Sequence, residues 1–119
     1  MKETRLGVIE TRFADIIWKS APIKTNELIK LAEKELGWKR TTTYTVLKRL
    51  SERGIFECSD GIVNVIVSKE EFYSKRSHEV VSESFGGSLP AFIAAFTSRK
   101  NLTKDEISEI QSIIDKMKG

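Results

Sequence analysis

A two-residue turn signal, Asp60-Gly61, lies near the middle of the chain between two short β-prone runs. The runs cover residues 55–58 and 62–67 and consist mainly of aliphatic and aromatic residues. Asp-Gly between such runs is a strong signal for a β-hairpin, because both central residues of a tight hairpin turn need positive φ angles. The sequence therefore predicts one hairpin, in a chain whose other segments lack this pattern of two β-prone runs around a turn.

Three segments with apolar residues at helical spacing precede this hairpin, and they cover residues 6–18, 25–36 and 40–53. Thr25 is predicted to cap the second helix, and Gly37 is predicted to close it. Three helices followed by a hairpin is the order of a winged helix-turn-helix domain. We therefore predict such a domain over residues 1–70.

The last third of the chain is predicted to form short helices with large apolar side chains. Ser68 with Glu71, and Thr103 with Glu106, have the spacing of a capping box, and Gly86-Gly87 interrupts the helical pattern between them. Short terminal helices cannot cover so many apolar side chains within one chain, which favours a second subunit. The predicted fold class is mainly α (α+β), with a helical dimerisation domain over residues 71–119. The predicted dimer contacts are Phe85, Leu89, Phe92, Ile93, Phe96, Ile107, Ile110 and Ile114.

Positive charge is concentrated on the third predicted helix. The chain of 119 residues has a net charge of +3, whereas residues 39–53 alone hold five Lys and Arg against one Glu. An α-helix fits the major groove of DNA, where hydroxyl, methyl and guanidinium groups can meet base edges. The residues predicted to bind DNA share one face of this helix, and they are Arg40, Thr41, Thr42, Tyr44, Thr45, Lys48 and Arg49.

Several classes of function are excluded or disfavoured by composition. The single cysteine, Cys58, excludes an intramolecular disulfide, and the single histidine, His78, has no second histidine with which to share a metal. We expect no metal site, no cofactor and no enzymatic activity, since no nucleophile-base pair or phosphate loop is evident. No apolar run is long enough to span a bilayer and no signal peptide is evident, so we expect a cytoplasmic protein without membrane insertion.

The chain resembles the penicillinase-repressor family of BlaI, MecI and CopY along nearly its whole length. The motifs that carry the resemblance keep the family's order, and they are Leu6-Gly7-Val8-Ile9-Glu10, Ile16-Ile17-Trp18, Trp38, Thr42-x-x-Thr45-x-Leu47-x-Arg49-Leu50-x-x-x-Gly54, Val67-Ser68-Lys69-Glu70-Glu71-Phe72, Gly87-Ser88 and Leu102-Thr103-x-x-Glu106-Ile107.

The resemblance implies a homodimeric transcriptional repressor that binds a palindromic operator, typically with TACA and TGTA half-sites. It further implies control of β-lactam resistance genes. In the family, a membrane-bound sensor protease responds to a β-lactam and leads to cleavage in the C-terminal domain. The pair that corresponds to the family's Asn-Phe cleavage bond is Ala95-Phe96.

The sequence departs from the family at four places. Lys39-Arg40 replaces a frequent Ser-Pro ahead of the third helix, and Ile62 follows the turn glycine where a basic residue is frequent. Ala95 replaces the asparagine of the cleavage bond, and the chain has no cysteine-rich tail, which disfavours copper sensing. The replacement at Ile62 disfavours a wing contact with phosphate, and the replacement at Ala95 disfavours cleavage at this bond.

Two other functions remain open from the sequence alone. The chain could be a small-molecule-responsive winged-helix regulator, with a pocket lined by Phe85, Phe92 and Phe96. It could also be a protein-interaction module without DNA binding, in which the polar residues of the third helix are an ordinary solvated face.

Overall fold

The computed structural model describes residues 5–119. The elements of this part of the chain are α1 (Val8–Ser20), β1 (Ile23–Lys24), α2 (Thr25–Leu36), α3 (Arg40–Glu52), β2 (Phe56–Ser59), β3 (Ile62–Val65), α4 (Lys69–Ser84), α5 (Leu89–Thr97) and α6 (Lys104–Lys118). Three helices lead into a hairpin and three more follow it, so the predicted fold class, a mainly α winged helix with C-terminal helices, is confirmed.

The chain divides into two compact units, one up to Ser77 and one from His78 to Gly119. The division falls within α4, seven residues beyond the domain boundary that the sequence predicts after residue 70. The C-terminal limit of the winged-helix domain therefore stays a prediction, because a change of contacts inside a continuous helix does not mark a linker.

The sheet of the first unit is antiparallel with the strand order β1-β3-β2. Ser59 pairs with Ile62, which leaves Asp60 and Gly61 as a two-residue loop with φ angles of 53° and 73°. Two positive φ angles in succession are typical of a type I′ turn, and the predicted hairpin is confirmed. The sequence did not predict β1, which is two residues long and pairs with the start of β3.

One hydrophobic core holds the three helices against the sheet. Its largest fully buried side chains come from every layer of the first unit, and they include Phe13, Ile17, Leu28, Leu50, Ile55, Phe56, Val63 and Phe72. Burial of each such side chain contributes roughly 1.5–3 kcal/mol relative to exposure. Because α3 contributes Leu50 and its neighbours to this core, the opposite face of α3 is held in a fixed orientation toward solvent.

The predicted cap of α2 is wrong. Lys24 is the N-cap residue, and no side chain caps this helix end. The Thr25 backbone N–H and hydroxyl both donate to the Gly61 carbonyl oxygen, at 2.9 and 3.1 Å. The hydroxyl is therefore engaged by the turn of the hairpin, 36 residues away in sequence, instead of the first turn of its own helix.

The second unit consists of helices with well-formed N-termini and apolar faces. Ser88 caps α5 by accepting from the Ala91 N–H at 3.1 Å, and Thr103 and Glu106 form the predicted capping box of α6. No residue of α5 or α6 is buried. Of the predicted dimer contacts, Phe85, Phe92 and Ile110 are partly buried, and the exposed ones are Leu89, Ile93, Phe96, Ile107 and Ile114.

Candidate nucleic-acid interface

Helix α3 has one buried face and one polar, exposed face. The buried residues are Thr43, Val46, Leu47 and Leu50, which recur at helical spacing. The residues that the sequence assigns to DNA are all exposed and lie on the remaining surface of the same helix, and they are Arg40, Thr41, Thr42, Tyr44, Thr45, Lys48 and Arg49. The fold thus brings the whole predicted set together on one accessible surface, which we call the α3 face.

Four threonines in five positions are unfavourable for helix propensity, and two of them satisfy their hydroxyls within the helix. Thr43 donates to the Lys39 carbonyl oxygen at 3.1 Å, and Thr45 donates to the Thr41 carbonyl oxygen at 2.9 Å. A hydroxyl that donates to the backbone keeps its lone pairs as acceptors. Thr45 therefore presents an acceptor and a methyl group to an approaching ligand.

The two arginines of the α3 face make different contacts. The guanidinium of Arg40 lies 5.6 Å from the centre of the Tyr44 ring, which is a cation–π arrangement on the first turn of the helix. Arg49, in the last turn, forms an ion pair with Glu10 of α1, with 3.2 Å between Nη1 and Oε2. Arg40 thus keeps its fork available for a phosphate, whereas Arg49 is held toward α1.

The hairpin differs from the α3 face in its electrostatics. Its strands and turn carry Glu57 and Asp60, and no Lys or Arg lies between Phe56 and Val65. The apolar side chains of Ile62 and Val65 are exposed on it. Carboxylates do not attract phosphates, so β2, β3 and the turn between them offer no charged side chain to a phosphate, whereas α3 and its flanks do.

A comparison with protein families matches a model described as penicillinase repressor to residues 6–116 of this chain. The chain belongs to the penicillinase repressor family. It is 28% identical to the penicillinase repressor of Bacillus licheniformis over 122 residues, which cover 99% of this chain and 95% of the relative. It is 23% identical to the methicillin resistance regulatory protein MecI of Staphylococcus aureus strain Mu50 over 119 residues, which cover 97% of each chain. The identity to MecI of Mammaliicoccus sciuri is 22% over the same share of each chain.

As a member of the penicillinase repressor family, the chain is a transcriptional repressor and not an enzyme. Within residues 5–119 no group of three or more His, Cys, Asp and Glu side chains could hold a metal ion. No helix in the described part of the chain is long and apolar enough to cross a membrane.

Sequence reasoning missed one residue at this surface. Glu10 lies on α1, 39 positions before Arg49, and its carboxylate contacts the α3 face directly. Glu10 lies in the first turn of α1, where the helix dipole favours an acidic residue whether or not it contacts another helix. Its position in the sequence therefore does not indicate a contact with α3. Contacts between separate helices leave no periodicity in the sequence, so this pairing needed the fold.

Proposed function

We propose that the chain is a homodimeric repressor that binds a palindromic operator, with the α3 face of each subunit in the major groove of one half-site. The observation that carries this proposal is the separation of the two faces of α3. One face is buried in the core, while Arg40, Tyr44, Thr45, Lys48 and Arg49 are exposed together on the other. A helix held rigidly on one side, with base-reading and phosphate-binding groups on the other, has the properties of a recognition helix.

The second unit supplies the reason for a dimer. Leu89 and Phe96 are 56% and 54% exposed, and Ile107 is 52% exposed. Apolar side chains of this size on two successive helices form a surface that a second copy can bury. Two linked winged-helix domains bind a palindrome far more tightly than one, because binding of the first raises the effective concentration of the second. A homodimer through α5 and α6 therefore accounts for the exposed apolar faces and for operator affinity together.

The names of the relatives support a proposal about the genes that this chain controls. A penicillinase repressor and a methicillin resistance regulator are both proteins of β-lactam resistance, and we propose that this chain controls genes of that class. We further propose that proteolysis in the C-terminal unit, triggered by a membrane sensor protease, relieves repression. Loss of part of the dimer surface would remove the advantage of two linked domains.

The Ala95-Phe96 bond is the proposed cleavage site. It lies in the last turn of α5, where Ser98 N–H donates to the Ala94 carbonyl oxygen at 3.1 Å. Both residues are exposed in the single chain, and since Phe96 is covered in the proposed dimer, cleavage requires this part of the interface to open. Helix ends open more readily than helix centres, which makes this turn accessible in an extended form. Mass spectrometry of the repressor from β-lactam-treated cells of its own host should show fragments that end at Ala95 and begin at Phe96, and fragments from another bond would overturn this assignment.

Selection of duplexes from a random pool tests the proposed function. We expect enrichment of a palindrome and binding that weakens steeply as salt rises, because phosphate contacts release counterions. Binding without sequence preference and without salt dependence would favour a protein-interaction module. A ligand that raises the melting temperature and releases the operator without proteolysis would favour a small-molecule regulator.

A further inference from the structure

The carboxylate of Glu10 joins the start of α1 to the α3 face. Its Oε1 accepts a hydrogen bond from the Gly7 backbone N–H at 3.1 Å, and its Oε2 accepts from Nη1 of Arg49 at 3.2 Å. The Glu10 side chain is 23% exposed, whereas that of Arg49 is 54% exposed. The acidic partner is thus held by its own helix end, and the arginine it holds is open to solvent.

This contact uses only part of the arginine. A guanidinium has five N–H donors in a planar fork, and here Nη1 donates to Glu10. The remaining donors, on the other edge of the same plane, can still reach a base edge or a phosphate. An arginine held by a carboxylate has fewer rotamers to lose on binding than one that is free in solvent.

We propose that Glu10 is a positioning residue that makes Arg49 contribute to operator recognition more than to general DNA binding. The proposal rests on the proposed function, because it presupposes that the α3 face binds an operator. On DNA of arbitrary sequence, the carboxylate offsets the charge of Arg49 and repels nearby phosphates. On the operator, the guanidinium of Arg49 is already oriented by Glu10, so it binds its acceptor on the DNA without losing further side-chain entropy.

Two simpler roles for Glu10 make different predictions. If it only supports the N-terminus of α1 through Gly7, its replacement lowers stability and leaves DNA discrimination unchanged. If it only adds negative charge, its replacement tightens binding to every duplex equally, whether or not Arg49 is present. A positioning role predicts a loss of discrimination that depends on Arg49.

The test is a double-mutant cycle with Glu10→Gln and Arg49→Ala in the full chain. Glutamine removes the charge, while its amide oxygen can still accept from the Gly7 N–H. The probes are the palindromic duplex selected by the wild-type protein and a scrambled duplex of the same composition. From the size of exposed ion pairs, we expect Glu10→Gln to weaken operator binding about twofold to threefold and to tighten scrambled binding about twofold, a loss of discrimination of about fivefold.

In the Arg49→Ala background, Glu10→Gln should leave the ratio of the two affinities unchanged, because the group that Glu10 positions is gone. The matched control is Glu33→Gln, which removes the charge of an exposed acidic side chain of α2. It should leave the ratio of operator affinity to scrambled-duplex affinity unchanged. The thermal midpoint of each variant separates folding defects from binding defects.

An equal loss of discrimination with and without Arg49, or no loss at all, would overturn the positioning role while leaving operator binding by the wild type in place. Failure of the wild type to select any sequence would instead contradict the proposed function, and the positioning role with it. The two failures are therefore distinguishable in one set of titrations.

Discussion

The indole N–H of Trp18 donates to the carbonyl oxygen of Val67, with 3.1 Å between Nε1 and the oxygen. Trp18 is near the end of α1, whereas Val67 lies in the short connection between β3 and α4. The same indole contacts the rings of Phe56 and Phe72, at centroid distances of 5.5 and 5.6 Å. One side chain thus joins the first helix, the hairpin and the beginning of α4.

Trp18→Phe should lower the free energy of unfolding by about 1–2 kcal/mol more than Trp38→Phe, because it leaves the partly buried Val67 carbonyl without its donor. Trp38 is the matched control, since it also packs an indole against the core, at 4.9 Å from the Phe13 ring. Urea unfolding followed by circular dichroism measures both. Equal losses in the two variants would show that ring size alone accounts for the effect.

Thr45→Ala and Arg49→Ala should each weaken binding to the selected operator by about 1–3 kcal/mol, as expected for a side chain that contacts a base edge. Both residues are exposed on α3, so the fold and the dimer should be unaffected. Fluorescence anisotropy with operator and scrambled duplexes measures the change, and sedimentation verifies the dimer. Unchanged operator affinity in both variants would remove these residues from the recognition surface.

Arg40→Ala should weaken binding to every duplex by a similar factor. Its place at the first residue of α3, with its guanidinium 5.6 Å from the Tyr44 ring, suits a phosphate contact better than a base contact. The slope of log K against log salt should become shallower by about one unit, because one phosphate contact releases about one counterion. A selective loss on the operator, with an unchanged slope, would instead assign Arg40 to base recognition.

Ile114→Lys should dissociate the dimer, because it places a charge in the proposed apolar interface. Ile114 is 42% exposed on α6 and lies on the same helix as the exposed Ile107. Ser108→Lys adds the same charge to another exposed position of α6 and should leave the dimer intact. Analytical ultracentrifugation across a range of concentrations measures both. An unchanged association constant for Ile114→Lys would place the dimer contact elsewhere.

The capping box of α6 gives a prediction about pH. The Thr103 backbone N–H and, secondarily, its side chain lower the pKa of Glu106 below its ordinary value of 4.5. A lowered pKa means that the carboxylate stabilises the folded chain above pH 4.5, and that this stabilisation is lost as the pH falls through the folded-state pKa. The difference in melting temperature between wild type and Glu106→Gln should shrink below pH 4.5. A difference in melting temperature that stays constant across this range would show that ionisation of Glu106 does not affect the stability of the fold.

Much of the fold could be predicted from local patterns. The sequence predicts Ser68 and Thr103 as caps because a hydroxyl and the N–H group three residues later are neighbours along the chain. Asp60-Gly61 predicted its turn because the need for positive φ is a property of those two positions. Buried and exposed faces of α3 followed from helical periodicity in the same way.

The errors and omissions all concern contacts between distant segments. Thr25 has a good capping side chain, but the Gly61 carbonyl oxygen competes for its hydroxyl once the hairpin turn is placed beside α2. The strand β1 is too short to have a period and exists because β3 pairs with it. Glu10 and Arg49 are brought together by the packing of α1 near α3, which no pattern in either helix announces.

We propose that two α3 faces, linked through the C-terminal units, bind the two halves of one operator. Titration of the selected palindromic duplex against the same duplex with one half-site scrambled tests it most directly. We predict two chains bound to each palindrome, and a loss of affinity of at least about tenfold when one half-site is scrambled, because the second domain then has only non-specific contacts. Equal affinity for the palindromic and half-scrambled duplexes, or one chain bound to each palindrome, would contradict the account.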